Sequence, residues 1–270
     1  MRSILFSKML KDRTPAQLAE MAEGWGLGGY DLCVRPGYAV NPDNAAEVLP
    51  GVVADFRARG LDIPMVTGNF DLLEPEHPTA LPLLQAMNKA DVRLLKLGYF
   101  PFKPGEHHYQ TEVRRVRAIF ERWCPLAQKY GVKICYHTHS NKCMGLNGAA
   151  MFQLLEGFDP ALIGAYIDPA HLVVEGEDFA TAVAMIRPWL SIVAVKDVDL
   201  VRVEKNGHGS MRRDWVVAGA GCVDWTNVFE VLGKVGYDGP VSIHCEFKVP
   251  DEEFLGAVAT EIAFFKRFLG

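Results

Sequence analysis

Residues 163–171 read IGAYIDPAH. The run from Ile163 to Ile167 is short, apolar and partly β-branched, so it predicts a buried strand. Asp168 ends this run, at a point where an unpaired carboxylate is costly to bury. The side chain therefore needs a metal ion, a proton to exchange or several hydrogen-bond donors, unless it only caps the following loop as an Asx turn.

The same rhythm of apolar strand, polar loop and amphipathic helix recurs on both sides of this stretch. The strand candidates are apolar runs at 3–6, 30–34, 63–67, 94–97, 133–137, 163–168, 192–196 and 241–245. The helix candidates between them include 14–25, 45–59, 79–88, 112–130 and 224–235. Eight βα units predict a single (β/α)8 TIM-barrel domain over residues 1–270, which is an α/β fold.

An open, doubly wound α/β sheet is the alternative architecture. Such a sheet is expected to carry a glycine-rich phosphate turn after its first strand, and the sequence SKML at 7–10 is not one. The closed barrel is therefore favoured.

Composition limits the class of partner. The 28 Lys and Arg against 33 Asp and Glu give a net charge of −5, so there is no basic field to attract nucleic acid. The amino-terminal residues MRSILFSKML show neither a long apolar segment nor a small-residue cleavage site. We expect a cytoplasmic protein with no membrane segment.

Polar side chains collect where the predicted strands end. In a parallel βα barrel the loops that leave the strands open on one face, and the active site forms there. The strand ends carry charged, imidazole or amide side chains, namely Arg35, Asn69, His137, His139, Asp168, His171, Lys196, His244 and Glu246. We expect these residues to surround one site, with Arg35, Asn69, His139 and Glu246 contacting a substrate.

Two pairs of these residues lie two positions apart. His137 with His139 and His244 with Glu246 would each point to one face of a strand, which suits metal binding or proton transfer. One member of a pair could instead hydrogen-bond a loop carbonyl. Lys196 follows an apolar run and could act as a base or an electrostatic clamp, or could brace the barrel mouth through an acidic partner.

Three segments together resemble the sugar phosphate isomerase/epimerase family, the xylose-isomerase-like TIM barrels that include the endonuclease IV branch. IGAYIDPAH at 163–171 is like the family's D-x-x-H after strand six, and VAVKD at 193–197 is like its strand-seven KD ending. The segment 221–246 resembles the family's G-x-[IV]-D-[FW] helix followed by GY-x-G and strand eight. The resemblance covers nearly the whole chain.

The resemblance implies a divalent metal held by Glu, Asp, His and Glu side chains from strands five to eight. Only Asp168 matches, because the other three positions hold His137, Ala194 and His244. His171 matches the family's substrate-contacting histidine. In one interpretation His137, Asp168 and His244 bind zinc, manganese or iron. In the other interpretation no metal is used, and His137 and His244 exchange protons directly while Lys196 stabilises negative charge.

We predict an isomerase or epimerase that removes a proton beside the carbonyl of a sugar or keto-sugar and forms an enediolate. The alternatives are a lyase or dehydratase acting on a keto-sugar or polyol, and a noncatalytic sugar-binding barrel. An endonuclease IV-like DNA-repair activity would need more carboxylate ligands and a basic groove. The expected partner is a small carbohydrate, and the chain could form a homo-oligomer.

Overall fold

The computed structural model describes residues 1–269. Its strands in chain order are β1 (Arg2–Phe6), β2 (Gly29–Cys33), β3 (Asp62–Thr67), β4 (Leu94–Lys96), β5 (Lys133–His137), β6 (Ile163–Ile167), β7 (Leu190–Val195), β8 (Asp197–Lys205), β9 (His208–Val216) and β10 (Pro240–Ile243). Strands β1 to β7 and β10 form a closed parallel barrel in which β1 pairs with both β2 and β10. The predicted (β/α)8 fold class is confirmed.

Helices surround the barrel. They are α1 (Pro15–Trp25), α2 (Ala45–Ala58), α3 (Ala80–Ala90), α4 (Tyr109–Tyr130), α5 (Gly148–Leu155), α6 (Pro169–Glu175), α7 (Phe179–Ile186), α8 (Trp225–Lys234) and α9 (Phe254–Leu269). The caps explain several boundaries: Thr14 and Gln17 form a capping box at the start of α1, and Gly26 ends that helix in the left-handed conformation. Within residues 1–269, no helix combines the length and apolar character that a membrane crossing requires.

All eight predicted strands coincide with barrel strands, with ends shifted by up to two residues. The predicted helices also coincide with observed ones, but the sequence did not identify α5, α6, α7 and α9. Three of these have only seven or eight residues, too few for helical periodicity to stand out. The sequence also missed the antiparallel pairing of β8 with β9, whose side chains are mostly exposed or half-buried.

Two layers of apolar side chains hold the barrel together. Ile4, Met65, Cys135, Tyr166, Ile192 and Ala194 pack together as a small cluster separate from the main core. The much larger cluster includes the outward-facing side chains of the strands and the buried faces of the helices. This arrangement follows the alternation of side chains along each strand, so a polar residue at an inward position faces the barrel interior.

The loop after β9 is held by two buried acids. Asp197 accepts hydrogen bonds from the Gly219 amide at 2.8 Å and from the Trp225 indole at 3.1 Å. Glu261 on α9 accepts one from the Ala218 amide at 2.5 Å, while its Oε1 has no hydrogen-bond partner within residues 1–269. Burial raises the pKa of Glu261 from 4.5 to about 8, so this side chain is mostly protonated at neutral pH.

Glu261 should therefore make stability fall as the pH rises. Between pH 4.5 and 8 the folded state keeps a proton on Glu261 that the unfolded state loses, so the free energy of unfolding decreases across this range. The full effect is at most about 4–5 kcal/mol, from 1.36 kcal/mol per pKa unit. Urea denaturation at several pH values should show this loss of unfolding free energy in the wild type. In Glu261→Gln the free energy of unfolding should depend less on pH. The exposed Glu252→Gln is the control, and identical profiles for wild type and Glu261→Gln would contradict the assignment.

Candidate functional site

The carboxyl ends of the barrel strands surround a small cavity of about 60 Å³. The charged and imidazole side chains that line it are Lys8, Arg35, Lys96, His137, His139, Lys196, His244 and Glu246. They come from six different strand ends, as the geometry of a parallel barrel requires. These side chains therefore gather at the face of the barrel where the sequence predicted them to lie.

A buried ion cluster lies at one side of the cavity. Lys196 Nζ lies 2.7 Å from Glu246 Oε2 and 3.3 Å from Asp168 Oδ2, and Lys8 bonds the other oxygen of Glu246. Burial lowers the pKa of Lys196, but the two carboxylates outweigh it and the net shift is upward. Burial raises the pKa of Glu246, yet Lys196 and its other cationic neighbours bring it well below its usual value. Lys196 is therefore a fixed ammonium and Glu246 a fixed carboxylate.

Asp168 is also the N-cap of α6, because its Oδ1 accepts hydrogen bonds from the amides of Ala170 and His171. Its Oδ2 and the Nε2 of His137 lie 3.7 Å apart, and neither has a well-aligned hydrogen-bond partner within residues 1–269. Buried polar atoms without partners are rare in folded proteins. This pair is suited to bind the hydroxyl or carbonyl groups of a ligand.

His244 ends a hydrogen-bonded chain that begins inside the barrel. Asp31 is fully buried and accepts hydrogen bonds from Thr67 at 2.7 Å and from Tyr166 and Ser242 at 3.1 Å each. The hydroxyl of Tyr166 also lies 2.7 Å from His244 Nε2. Burial raises the pKa of Tyr166 well above its usual value, so the phenol keeps its proton.

The single phenolic proton of Tyr166 links the tautomer of His244 to the hydrogen bond between Tyr166 and Asp31. If Tyr166 donates this proton to the Asp31 carboxylate, the phenolic oxygen must accept from His244 Nε2–H. Burial lowers the pKa of His244 well below its usual value, so the ring is neutral at pH 7. Its unprotonated nitrogen is then Nδ1, which leaves His244 able to accept a proton from a molecule in the cavity.

The other predicted histidines are also buried and neutral. Burial lowers the pKa of His137 and His171 well below the usual value, and lowers that of His139 to about 4. His137 Nδ1 pairs with the Tyr99 hydroxyl at 2.8 Å. His171 Nε2 lies 3.0 Å from Lys196 Nζ, and its ring packs against that of His139, with centroids 4.1 Å apart and an interplanar angle of 41°.

The structure brings together all but one of the predicted site residues. Arg35 lines the cavity, donates to the Gly68 carbonyl at 3.1 Å and stacks over the Phe70 ring. Asn69, in contrast, is not among the cavity-lining residues, and its amide donates to the exposed Asp71. The loop after β3 turns the Asn69 side chain towards its own neighbour.

Sequence reasoning missed three polar residues of this site, Asp31, Lys96 and Tyr166. Each lies within an apolar strand, where the pattern indicates only core packing. The signal that could have identified Asp31 and Lys96 is the charge itself, because a charged residue in a barrel strand must find a partner or a cavity. Tyr166 gives no such signal, since tyrosine is common in cores.

The hairpin of β8 and β9 extends beside the cavity. Trp215 packs its ring at 5.2 Å from His171, and Lys196 Nζ lies 4.5 Å from the Trp215 ring centroid. Arg213 bonds the hydroxyl of Ser140 and the side chain of Asn141, on the loop after β5. The hairpin therefore buries the ammonium of Lys196 and excludes water from it.

The donor set does not fit a divalent ion. No three His, Cys, Asp or Glu side chains within residues 1–269 are placed to hold one ion, whereas zinc sites use at least three protein ligands. His137 and Asp168 offer two donors, but His244 is turned towards Tyr166 and lies 4.0 Å from Asp31. The ammonium of Lys196 is closer to Asp168 than either neighbouring imidazole is.

The chain belongs to the xylose isomerase-like TIM barrel family, whose sequence pattern matches residues 20–268. It is 28% identical over 160 residues to an inosose dehydratase from Lacticaseibacillus casei, covering 57% of this chain and 53% of the relative. An inosose dehydratase from Halalkalibacterium halodurans is 28% identical over 129 residues, 45% of this chain and 42% of the relative. The aligned stretch thus spans about half the length of these relatives.

Solved structures of several enzymes share the fold. The IOLI protein with a bound zinc atom superposes with a TM-score of 0.74 at 15% identity, covering 100% of this chain and 96% of that one. A D-tagatose 3-epimerase-like protein gives 0.73 at 16% identity with 100% and 97% coverage. The probable 3-DHS dehydratase AsbF from Bacillus anthracis gives 0.72 at 15% identity with 98% and 99% coverage.

The arrangement of donors predicts weak metal binding. We expect the purified protein to carry far less than one equivalent of zinc, manganese or iron, and its melting temperature to change little when these ions are added, because only two donors converge. Elemental analysis and thermal unfolding measure both quantities. One equivalent of a divalent metal that is lost in Asp168→Asn would contradict this expectation and restore the set of His137, Asp168 and His244.

Proposed function

We propose that this protein is an enzyme that removes the proton beside the ketone of a keto-sugar or keto-cyclitol and then eliminates water. Proton removal is the step that this reaction shares with isomerisation and epimerisation. The observation that carries the proposal is a buried neutral histidine, His244, hydrogen-bonded through Nε2 to Tyr166 and placed in the same cavity as the fixed ammonium of Lys196. The inosose dehydratases among the relatives favour elimination as the outcome.

His244 is the proposed base. Its Nδ1 takes the proton from the carbon next to the ketone, and the Tyr166–Asp31 chain behind it stabilises the imidazolium that forms. The negative charge moves to the carbonyl oxygen, where Lys196 stabilises it in a cavity shielded from water. His137 lies across the cavity, with its ring centroid 5.9 Å from that of His244. Together with Asp168 it hydrogen-bonds and orients substrate hydroxyls.

Elimination of water then uses the proton that His244 has removed. The carbon–oxygen bond of the β-hydroxyl breaks, the electron pair of the enediolate forms the new double bond, and the His244 imidazolium returns its proton to the leaving oxygen as water. Isomerisation or epimerisation would instead return the proton to carbon. Arg35, His139, His171 and Glu246 are proposed to shape the pocket and bind hydroxyl groups.

Solvent-deuterium exchange into 2-keto-myo-inositol, D-fructose and D-tagatose tests this proposal. We expect the wild type to exchange the α-proton of at least one ketone, and elimination to appear as a product lighter by one water. His244→Ala should lower the exchange rate by about 10²–10⁴-fold, the usual contribution of a general acid or base. His137→Ala should lower it by a smaller factor, because this residue orients the substrate and does not take its proton. NMR and mass spectrometry measure these quantities.

The control is His208→Ala, at the exposed tip of the hairpin, which should exchange at the wild-type rate. Circular dichroism should show all three variants folded. Full exchange in His244→Ala would remove this residue as the base. Binding of the ketones without any exchange by the wild type would favour the noncatalytic sugar-binding alternative.

A further inference from the structure

The cavity contains two buried lysines in opposite electrostatic situations. Lys196 is held between Asp168 and Glu246, as described above. The side chain of Lys96, the last residue of β4, has no hydrogen bond or ion pair with any other part of residues 1–269, and its Nζ lies 3.8 Å from the centroid of the Tyr99 ring. A lysine that is 3% exposed and lacks a carboxylate partner is unusual.

The surroundings of Lys96 favour a neutral amine. Burial and the nearby guanidinium of Arg35 lower the pKa of Lys96 to about 7, and the more distant carboxylates raise it only in part. A neutral lysine amine is a nucleophile towards carbonyl groups, whereas an ammonium is not. Of the two lysines, only Lys96 therefore has a free electron pair at neutral pH.

We propose that Lys96 forms a Schiff base with the ketone of the substrate. Its Nζ attacks the carbonyl carbon and gives a carbinolamine, which takes up a proton and loses its hydroxyl as water. One amine, one ketone and one proton thus give one protonated imine and one water. After the reaction, hydrolysis of the imine regenerates the Lys96 amine.

This inference rests on the proposed function and changes its electron sink. With the imine formed, removal of the α-proton by His244 gives a neutral enamine in place of an enediolate. Loss of the β-hydroxyl then restores a conjugated iminium. Lys196 would orient the hydroxyls beside the reacting carbon. The covalent electrophile would supply what the family's metal ion supplies, which is consistent with a donor set that does not fit a divalent ion.

The position of Lys96 suits this role. It lines the same cavity as His137, Tyr99 and His244, and its strand pairs with β3 and β5 on either side. A rigid strand fixes its Cα, while the side chain remains long enough to reach a carbon in the cavity. The aromatic ring of Tyr99 would then stabilise the iminium charge as it does an ammonium.

Borohydride trapping with 2-keto-myo-inositol tests the proposal. We expect reduction of the wild-type mixture to add the mass of the ketone less one oxygen atom, or that value less a further water after elimination. Peptide mapping should place the adduct on Lys96. The exposed Lys103→Arg should still form it, while Lys96→Arg and Lys96→Met should not. Labelling spread over surface lysines, or an adduct that persists in Lys96→Arg, would overturn the proposal.

A second measurement uses the wild type alone and does not depend on the folding of a variant. Imine formation and hydrolysis replace the ketone oxygen by one from water, so the enzyme should speed incorporation of ¹⁸O from labelled water into 2-keto-myo-inositol. Deuterium exchange without ¹⁸O incorporation or a trapped adduct would reject the Schiff base and leave the proposed function standing. A Lys96 adduct without deuterium exchange or elimination would support the covalent step and overturn the proposed function.

Discussion

The burial of the Lys196 ammonium between two carboxylates is the interaction on which the site depends. Asp168 comes from the end of β6 and Glu246 from the segment after β10, so this cation joins strands on both sides of its own. Removing Lys196 would leave the fully buried Asp168 without its cation, and breaking a buried ion pair in this way typically costs about 3–5 kcal/mol. The same positive charge helps to keep the surrounding imidazoles neutral, because it lowers the pKa of His137, His139, His171 and His244.

The exchange of carboxylates for imidazoles changes what the cavity can bind. The resemblance of the sequence to the family would place His137 and His244 at positions where glutamates are expected, and Ala194 at the position of a third ligand. Neutral rings cannot balance the charge of a divalent cation as two carboxylates do. With Lys8, Arg35 and Lys196 against the single carboxylate of Glu246, the side chains that line the cavity have an excess of positive charge. Such a site favours an electron-rich intermediate formed from a ketone.

The barrel and the position of its site could be predicted from the sequence because both follow from periodicity. Eight apolar runs at regular spacing define the strands, and the polar residues after them must meet at one face. The interactions within the site could not be predicted in the same way. That His244 faces Tyr166 and Asp31, and that Lys96 lacks a partner, depends on side chains from strands far apart in sequence. Asn69 does not line the cavity for a local reason, because its side chain donates a hydrogen bond to Asp71 in the same short loop.

The protonation states of the buried imidazoles follow directly from their burial and from the nearby charge of Lys196. Two-dimensional ¹⁵N NMR of the histidine side chains, recorded from pH 8 to pH 5, reports the charge and tautomer of each ring. We predict that the imidazoles of His137, His139, His171 and His244 are all neutral at pH 7, and that the proton of the His244 ring is on Nε2. An imidazolium at pH 7 among these four, or a His244 ring protonated on Nδ1, would contradict this prediction.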